Sequence, residues 1–492
     1  MSSTLKLLES SNQQATTIII ENDGLKIRTP KTNSTNKGTR SCGCCYNKKG
    51  TRNCASCFNK GGIYEQIDSV VAHEINVTYY RVVKCIVNAE GIVHLSVVSS
   101  QHDDHLVEFK GSPTNIPIED AKTMIDDIRN KAAIGDPKRF LVLVNPVGGQ
   151  GKAIRYYNEK VFPILRASGC KIDFQMLEYK LHAYDIGKEM QLDYDGVLCV
   201  SGDGAIHEVL NGFMKHQTPI KALQMPLCPI PAGSGNSLSL CLLGLEDGCN
   251  ISLATLNAIK GNPMPLDLFS IVQGNKRTLS YLTQATGLMA DLDIGTEGMR
   301  WLGDTRFVIG YVRSLITNSP CPCEIYVKID EDNKDEMIKQ LRERKLDSPV
   351  PSLPQYGEEL PPVQYPNGAE PDWEKVSGDI SYLYAGQVPW VSRDLKQFPV
   401  SIPNDGYIDI AAQLNVSRFQ KIKAMDGAEN GKMFYDQSLK YYKAKAYHYK
   451  PLRTDGYISI DGENSPVLPF TVEVLPCLAR VISPYYTWNN NF

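Results

Sequence analysis

Three glycine-rich turns, each directly after a short apolar run, constrain the fold of this chain more than any other feature. The turns are Asn145 to Ala153 (NPVGGQGKA), Ser201 to Gly212 (SGDGAIHEVLNG) and Pro231 to Ser237 (PAGSGNS). The runs before them are Phe140 to Val144, Val197 to Val200 and Leu227 to Ile230. Such runs are typical of buried parallel strands, whose carboxyl ends meet at one edge of a sheet. The sequence therefore predicts one crevice in which glycine backbone approaches a phosphate at helix N-termini.

The order of the patterns predicts the fold class, which is α/β plus all-β. Strands and helices alternate through the glycine turns, which favours an N-terminal α/β domain with a parallel sheet. After about Leu266 strand signals take over and predict an antiparallel β-sandwich domain. The expected domains are a disordered, basic, Cys-rich arm (1–60), a small β-rich N-terminal unit with a helix over 118–133 (61–136), the α/β domain (137–265), the β-sandwich domain with an exposed insertion at 328–376 (266–484) and a tail (485–492).

Composition narrows the class of protein. The chain has 492 residues, of which 42% are hydrophobic and 22% charged, as expected for two or three globular domains. The net charge of -3 argues against a nucleic-acid partner. The start lacks the apolar core of a signal peptide, and no apolar run is long enough to span a bilayer. We therefore expect a cytoplasmic protein.

The first 60 residues differ from the rest in charge and cysteine content. They hold ten basic against three acidic residues, and their five cysteines are Cys42, Cys44, Cys45, Cys54 and Cys57. Three interpretations are open: a zinc site using the Cys-x-x-Cys spacing, an accident of composition, or S-acylation of Cys42, Cys44 or Cys45. Palmitoylation is favoured, because an acyl anchor beside basic residues gives peripheral membrane association. The remaining cysteines, such as Cys199 and Cys228, are expected to be reduced core thiols.

The second turn contains the strongest candidate for chemistry. Two glycines flank Asp203 and expose its carboxylate at a strand end, where it can accept a proton or face the metal of a nucleotide. His207 is expected to pack locally on the following helix. The first turn lacks the spacing of a P-loop and the Ser or Thr after Lys152 that would hold Mg²⁺.

The forms SGDGxxHEVxNG and PAGSGN resemble the diacylglycerol kinase catalytic-domain family, and within it the sphingosine (long-chain base) kinases. The resemblance covers residues 137–265 closely and most of the chain to about residue 484. It implies an α/β domain and a β sandwich with ATP in the cleft between them. It also implies Mg²⁺-dependent phosphorylation of the primary hydroxyl of a sphingoid base (sphingosine, dihydrosphingosine or phytosphingosine) to its 1-phosphate.

The resemblance also implies roles for individual residues. Asp203 is the expected catalytic base, and Asp293 of the ADLD stretch is expected to receive the amino group of the lipid. The expected ATP-binding residues are Asn145, Pro146, Val147, Gly148, Gly149, Gly151, Leu177, Glu178, Tyr179, Lys180, Leu181, Glu208, Gly233, Ser234, Gly235, Arg300, Arg306, Asp461, Gly462 and Glu463. The expected lipid-binding residues are Ser201, Gly202, Asp203, Gly204, Thr283, Asp293 and Asp461. Leu177 stands where the family usually has Thr, and Asp461-Gly462 is equally well explained as a hairpin turn.

Two other functions remain open from the sequence. A ceramide or diacylglycerol kinase of the same superfamily is one, and Asp293 argues against it because only a sphingoid base carries a free ammonium group. A non-catalytic lipid-binding regulator is the other. The acyl chain needs an apolar pocket, for which the candidates are Leu288, Met289, Phe307, Ile309 and Leu315. Apolar residues in strands usually belong to the hydrophobic core, so the sequence does not show which of these residues line a pocket and which pack in the core.

Overall fold

The computed structural model describes residues 3–9, 15–29, 73–101, 104–295, 320–346, 353–417, 419–420, 423 and 426–492. The chain divides into two compact units, Met1–Ala132 and Ala133–Phe492. The cysteine cluster of the arm and the candidates Arg300, Arg306, Phe307, Ile309 and Leu315 lie outside the described residues. Among the residues described, no helix combines the length and the apolar composition needed to cross a bilayer.

The first unit is an antiparallel sheet accompanied by one helix. Its elements are β1 (Ser3–Leu8), β2 (Ala15–Ile20), β3 (Gly24–Thr29), β4 (His73–Thr78), a 3-10 turn (Tyr79–Arg81), β5 (Val82–Val87), β6 (Val93–Ser99), β7 (His105–Pro113) and α1 (Ile118–Lys131). The strands lie in the order β4-β3-β2-β1-β7-β6-β5. Helix α1 buries Ala121, Ile125 and Ile128, which share one face because they are four and three residues apart.

The prediction of a disordered arm over residues 1–60 is wrong for β1, β2 and β3. These strands bury alternate apolar side chains, for example Leu5 and Leu7 in β1 and Leu25 and Ile27 in β3. The Ser, Thr and Lys residues that suggested disorder lie between the buried positions, on strands that pair in register with their neighbours. A small polar-rich strand is stabilised by such pairing, which local composition does not reveal.

The second unit begins with the predicted α/β layer. Its elements are β8 (Arg139–Val144), α2 (Ala153–Tyr156), a π-helix (Tyr157–Val161), α3 (Phe162–Ala167), β9 (Lys171–Met176), α4 (His182–Glu189), β10 (Gly196–Ser201), α5 (Asp203–Phe213), α6 (Pro219–Leu223), β11 (Leu227–Pro231), α7 (Ser237–Leu243) and α8 (Ile251–Lys260). The order β11-β10-β8-β9 is parallel throughout. Val200 pairs with both Val144 and Ile230, so the three glycine turns start at the same level of the sheet.

The rest of the unit is rich in β structure. Its elements are β12 (Asn262–Gln273), β13 (Lys276–Ser280), β14 (Thr283–Gly287), α9 (Leu288–Asp293), β15 (Cys323–Glu331), α10 (Lys334–Glu343), β16 (Glu374–Lys375), β17 (Ile380–Gly386), β18 (Trp390–Ser392), β19 (Leu395–Lys396), β20 (Ile408–Leu414), 3-10 turns (Ala428–Asn430 and Lys432–Tyr435), β21 (Leu439–Pro451), β22 (Ile458–Ile460), β23 (Glu463–Ser465) and β24 (Phe470–Ser483). Strand β24 pairs with β12, with β21 and, in parallel, with β11. The α/β and β-rich parts therefore share one sheet and one compact unit.

Parts of the expected insertion and of the expected tail are packed into the fold. The expected exposed insertion at 328–376 contains the last four residues of β15, which pairs with β21, and α10, which buries Met337, Ile338 and Leu341. In the expected tail at 485–492, Trp488 is buried and its Nε1 donates a hydrogen bond to the carbonyl of Gln387 at 2.8 Å. The prediction of an exposed insertion is therefore wrong for β15 and α10, whereas most residues of 353–376 are exposed as expected. A few apolar side chains in a charged stretch suffice for packing, and average composition conceals them.

Candidate active site

The three glycine turns meet backbone to backbone at the carboxyl edge of the parallel sheet. A Cβ atom on Gly233 would lie 2.2 Å from the Cα of Gly202, and one on Gly202 would lie 2.7 Å from the carbonyl oxygen of Gly235. Gly149 has a φ of +57° and would place a Cβ 2.8 Å from the carbonyl oxygen of Ala232. Side chains are excluded at these positions, because real Cβ atoms do not approach so closely. The predicted single crevice is confirmed.

Two asparagines hold the turns in shape. The side chain of Asn236 accepts a hydrogen bond from the Gly233 N–H at 3.1 Å and donates one to the Gly233 carbonyl at 3.0 Å. The Oδ1 of Asn145 accepts from the Val147 N–H at 3.2 Å. The turns lack the regular backbone hydrogen bonds of a helix or a sheet. The side-chain hydrogen bonds of the two asparagines take their place and order the backbone that faces the crevice.

Asp203 begins helix α5 directly above the crevice. Its Oδ2 accepts a hydrogen bond from the Ser237 N–H at 2.7 Å, and its Oδ1 accepts from the Leu238 N–H at 3.2 Å. Its carbonyl accepts a hydrogen bond from the Tyr281 hydroxyl at 2.9 Å. Burial raises the pKa of Asp203 to about 6, with a contribution from the charge of Asp461 and against the effect of the two N–H donors. The carboxylate is thus fixed in orientation and is a stronger base than an exposed aspartate.

Three polar side chains of the second motif, those of His207, Glu208 and Asn211, project from α5 and contact other segments. His207 is expected from the sequence to pack only against its own helix. Its Nδ1 lies 2.8 Å from Asp461 Oδ2, so this histidine also contacts a segment that is distant in sequence. Glu208 accepts from the Leu181 N–H at 3.3 Å, and burial raises the pKa of this glutamate. Asn211 accepts from the N–H of Leu279 at 2.9 Å and donates to its carbonyl at 2.8 Å. The helix therefore connects three segments that are distant in sequence, at Leu181, Leu279 and Asp461.

Asp461 occupies the two-residue turn between β22 and β23, with φ values of +50° for Asp461 and +83° for Gly462. The hairpin interpretation is therefore confirmed, although the turn also borders the cleft. The Asp461 side chain is 0% exposed. Besides His207, its hydrogen-bond donors are the Ser280 hydroxyl (2.6 Å) and the N–H groups of Tyr281, Leu282 and Thr283 (each 3.0 Å). Its oxygens thus anchor the connection between β13 and β14.

Asp293 is the last residue of α9 and lies beside the same hairpin. Its Oδ2 accepts a hydrogen bond from the Ser459 hydroxyl at 2.6 Å, and a Cβ on Gly462 would lie 3.9 Å from that oxygen. The side chain is half-buried and borders the cleft. Burial and the charge of Asp293 raise the pKa of Tyr384, which keeps this hydroxyl protonated. Asp293 thus presents a negative charge beside hydroxyl groups.

The structure brings most of the predicted site residues into one cleft of about 1100 Å³. The predicted residues that line it are Asn145, Pro146, Val147, Gly148, Gly149, Leu177, Glu178, Tyr179, Lys180, Ser201, Gly202, Asp203, Gly204, Glu208, Gly233, Ser234, Gly235, Thr283, Asp293, Asp461, Gly462 and Glu463. Gly151 and Leu181 do not line the cleft. The N–H of Gly151 donates to the Gly148 carbonyl at 3.0 Å and closes the first turn, whereas the N–H of Leu181 is bound by Glu208.

Several cleft residues carried no signal in the sequence. They are Leu282, Leu292, Tyr384, Val391, Ser392, Asp394 and Leu395, and they come from the β13–β14 connection, α9, β17 and the β18–β19 hairpin. Among the expected apolar candidates, Met289 lines the cleft, while Leu288 packs against the neighbouring core. The cleft therefore combines glycine turns from the parallel sheet with apolar side chains from the β-rich part. Such a lining suits a phosphate-bearing ligand next to an amphiphile.

Comparison with known proteins finds a matching family and similar proteins. Residues 139–271 match the diacylglycerol kinase catalytic domain family. The chain is 31% identical to sphingoid long chain base kinase 5 of Saccharomyces cerevisiae over 70% of its own length and 59% of that protein. It is 30% identical to sphingoid long chain base kinase 4 of Schizosaccharomyces pombe, over 70% of this chain and 75% of that one.

More distant proteins match parts of the chain. Human sphingosine kinase 1 is 37% identical over 35% of this chain and 47% of its own length. A crystal structure of a diacylglycerol kinase from Bacillus anthracis str. Sterne superposes with a TM-score of 0.49 and 17% identity, over 71% of this chain and 98% of that one.

Proposed function

The chain belongs to the sphingoid long-chain base kinases, and from this premise we propose that its cleft transfers the γ-phosphoryl group of ATP to the primary hydroxyl of a sphingoid base. The product is the base 1-phosphate. One observation carries the proposal: the glycine turns, the raised-pKa carboxylate of Asp203 and the carboxylate of Asp293 line the same cleft. These are the parts that phosphoryl transfer to an amino alcohol requires.

Asp203 accepts the proton of the attacking hydroxyl. A pKa of about 6 leaves the carboxylate ionised at neutral pH and close to the operating pH, which favours proton transfer. The N–H groups of Ser237 and Leu238 hold both oxygens of Asp203, so the base keeps its orientation as the hydroxyl approaches.

The glycine turns cradle the phosphates of ATP. The contacts that exclude Cβ atoms at Gly149, Gly202 and Gly233 leave bare backbone along the crevice, which fits a phosphate group. Mg²⁺ would enter with ATP and offset the phosphate charge, and the Glu463 carboxylate, which borders Gly204, is an oxygen ligand of the kind it prefers.

Asp293 receives the ammonium group of the lipid. The Asp293 carboxylate lies beside the Ser459 hydroxyl, and its negative charge attracts a cationic amine next to hydroxyl groups. Neither ceramide nor diacylglycerol offers such a charge, so this residue favours the free base. Leu282, Met289 and Leu292 supply apolar surface for the start of the alkyl chain.

The remaining proposals rest on the resemblance and on composition. Arg300 and Arg306 offset phosphate charge in the transition state. The basic arm associates with membranes, with S-acylation of Cys42, Cys44 or Cys45 as its anchor, because acyl chains and basic residues act together at an anionic surface.

The test is transfer of labelled γ-phosphate from Mg-ATP to sphingosine, dihydrosphingosine, ceramide and diacylglycerol in mixed micelles. We expect the free bases alone to be phosphorylated, and Asp203→Asn to lower kcat by at least about 100-fold, as loss of a general base does. Asp247→Asn is the matched control, since Asp247 is exposed and lies outside the cleft. Phosphorylation of ceramide or diacylglycerol at comparable rates would contradict the assignment of a sphingoid base as the substrate. An active Asp203→Asn variant would contradict the assignment of Asp203 as the catalytic base.

The role of Asp293 has its own test in the same assay. Asp293→Asn should raise the KM for sphingoid bases while the KM for ATP stays unchanged, because the neutral amide no longer attracts the ammonium group. A variant that binds the base as well as the parent protein would contradict this role.

A further inference from the structure

Three exposed apolar side chains lie together at one end of the β-rich part. Leu452, Tyr457 and Leu468 are 57%, 41% and 51% exposed, respectively. Each belongs to a connection between strands and none lines the cleft. We call these three residues the rim.

Strand pairing brings the rim residues to the same place. Tyr449 pairs with Phe470, so Leu452 and Leu468 lie just beyond the last paired residues of neighbouring strands β21 and β24. Ile458 pairs with Ser465, so Tyr457 lies beside the connection that carries Leu468. That connection is a tight turn in which the N–H of Leu468 donates to the Pro466 carbonyl at 2.9 Å.

The rim adjoins the lipid end of the cleft. Tyr457 is followed by β22, which runs directly into Asp461 of the cleft wall. A Cβ on Gly295 would lie 3.5 Å from the Tyr457 ring, and Gly295 follows α9, whose Met289 and Leu292 line the cleft. A sphingoid base resides in a bilayer, so the end of the cleft that receives it must approach a lipid surface.

The charges near the rim largely compensate one another. Lys375 and Lys450 both pair with Glu324, at 2.6 and 2.9 Å, and Arg453 pairs with Asp455 at 3.5 Å. A surface of this kind suits insertion between uncharged headgroups, because the described residues around the apolar side chains create no strong field of either sign. Tyrosine at such a boundary places an apolar ring in the interface and its hydroxyl in water.

We propose that the rim is the surface by which this protein inserts into a lipid bilayer to reach its substrate. The inference rests on the proposed function, since it takes the substrate to be a bilayer lipid. Two partly inserted leucines and a tyrosine give a weak, reversible attachment that depends little on salt. It is separate from any attachment through the basic arm, which requires anionic lipid.

The test uses the full chain and vesicles of pure phosphatidylcholine, on which the basic arm has no charge to bind. The variant Leu452→Ser/Leu468→Ser should lower the vesicle partition coefficient by about ten-fold or more, because each leucine loses apolar surface from the bilayer. Leu346→Ser/Leu353→Ser is the matched control. These leucines are 38% and 41% exposed, and the carbonyl of Leu346 accepts from Tyr486, just beyond the opposite end of β24.

Activity provides the second readout. The rim variant should phosphorylate a short-chain, water-soluble sphingoid base at the rate of the parent protein, and a long-chain base in phosphatidylcholine vesicles at a rate reduced with binding. Equal vesicle binding by the parent and the rim variant would overturn the inference. It would also be overturned if the rim substitutions converted a dimer of this chain to a monomer and left vesicle binding unchanged, because the rim would then be a contact between two copies of the chain. Failure of all three proteins to phosphorylate the soluble base would count against the proposed function instead, since vesicle binding is measured without turnover.

Discussion

At the scale of single residues, two carboxylates of the cleft differ in what their oxygens contact. Asp203 accepts hydrogen bonds from the two N–H groups of Ser237 and Leu238 and is partly open to the cleft. Asp461 is closed off and surrounded by donors from its own protein. The Asp203 carboxylate therefore keeps lone pairs that can accept a proton from a ligand, whereas the lone pairs of Asp461 accept hydrogen bonds that stabilise the fold. Substitution of Asp203 should therefore lower the catalytic rate, whereas substitution of Asp461 should lower the stability of the fold.

The raised pKa of Asp203 predicts the acid limb of the pH profile. A base must be ionised to act, so kcat/KM should rise through half its maximum at a pH of about 6 and level off about one pH unit higher. At pH 5 the rate should be about a tenth of the plateau, since one pH unit below the pKa about a tenth of the carboxylate is ionised. An aspartate with the ordinary pKa of 3.8 would keep the plateau down to pH 5. Steady-state rates with a soluble base from pH 4.5 to 8, with nucleotide binding as the check on folding, distinguish the two.

Asp461→Asn should lower stability more than any change of an exposed carboxylate. An amide has one acceptor oxygen and would turn N–H donors toward the N–H groups of Tyr281, Leu282 or Thr283. We expect a loss of about 2 to 4 kcal/mol in the free energy of unfolding, the range for a broken buried hydrogen-bond network. Urea unfolding measures it, with Asp247→Asn as control. An unchanged midpoint together with a raised KM would instead make Asp461 a ligand-binding residue.

At the scale of elements, the glycine turns were predictable because their signal is local. An apolar strand, a glycine where no Cβ fits and a helix start are neighbours in the chain, as in Val200, Gly202 and Asp203. Strands β1 to β3 and helix α10 were missed because pairing and packing with distant segments stabilise them. The same distance hid the contact of His207 with Asp461, which lies 254 residues away.

The contacts between the turns predict which glycines tolerate alanine. Gly233→Ala should disrupt the crevice, because its Cβ would lie 2.2 Å from the Gly202 Cα and neither backbone has room to move. Gly135→Ala is the control, since no atom of the described residues lies within 4 Å of its added Cβ. We expect ATP affinity and thermal stability to fall in the first variant and to be unchanged in the second, by calorimetric titration and thermal denaturation. Normal ATP binding by Gly233→Ala would contradict the close approach of the turns.

At the scale of the whole molecule, the cleft is assembled from segments between Asn145 and Glu463 that one sheet holds together. Motif resemblance located Asp203, Asp293 and Asp461, because each lies in a recognisable stretch. It could not locate Tyr384 or Val391, which are single side chains on a strand and a hairpin with no local signature. The position of Tyr384 depends on the pairing of β17 with β14 and β20, which no local pattern encodes. Val391 belongs to β18, which pairs with β19.

The shared sheet also predicts how the second unit unfolds. The sequence favoured a domain boundary near residue 265, but β24 pairs with β11 of the α/β part and with β12 and β21 of the β-rich part. We therefore expect one cooperative transition for residues 133–492. Leu198→Ala in β10 and Leu383→Ala in β17 remove equally buried side chains, each at a cost of about 2 to 5 kcal/mol. Both should lower the same calorimetric transition.

Leu95→Ala in the first unit is the matched control, because this leucine is 1% exposed and belongs to a separate compact unit. It should shift a different transition and leave that of the second unit in place. Two transitions that respond separately to Leu198→Ala and Leu383→Ala would restore the boundary near residue 265. A cleft between independently unfolding domains could open by hinge motion. If instead both substitutions shift one transition, the continuous sheet holds the glycine turns and the apolar wall of the cleft in a fixed relative position. Substrate entry then depends on movement of the segments that border the cleft.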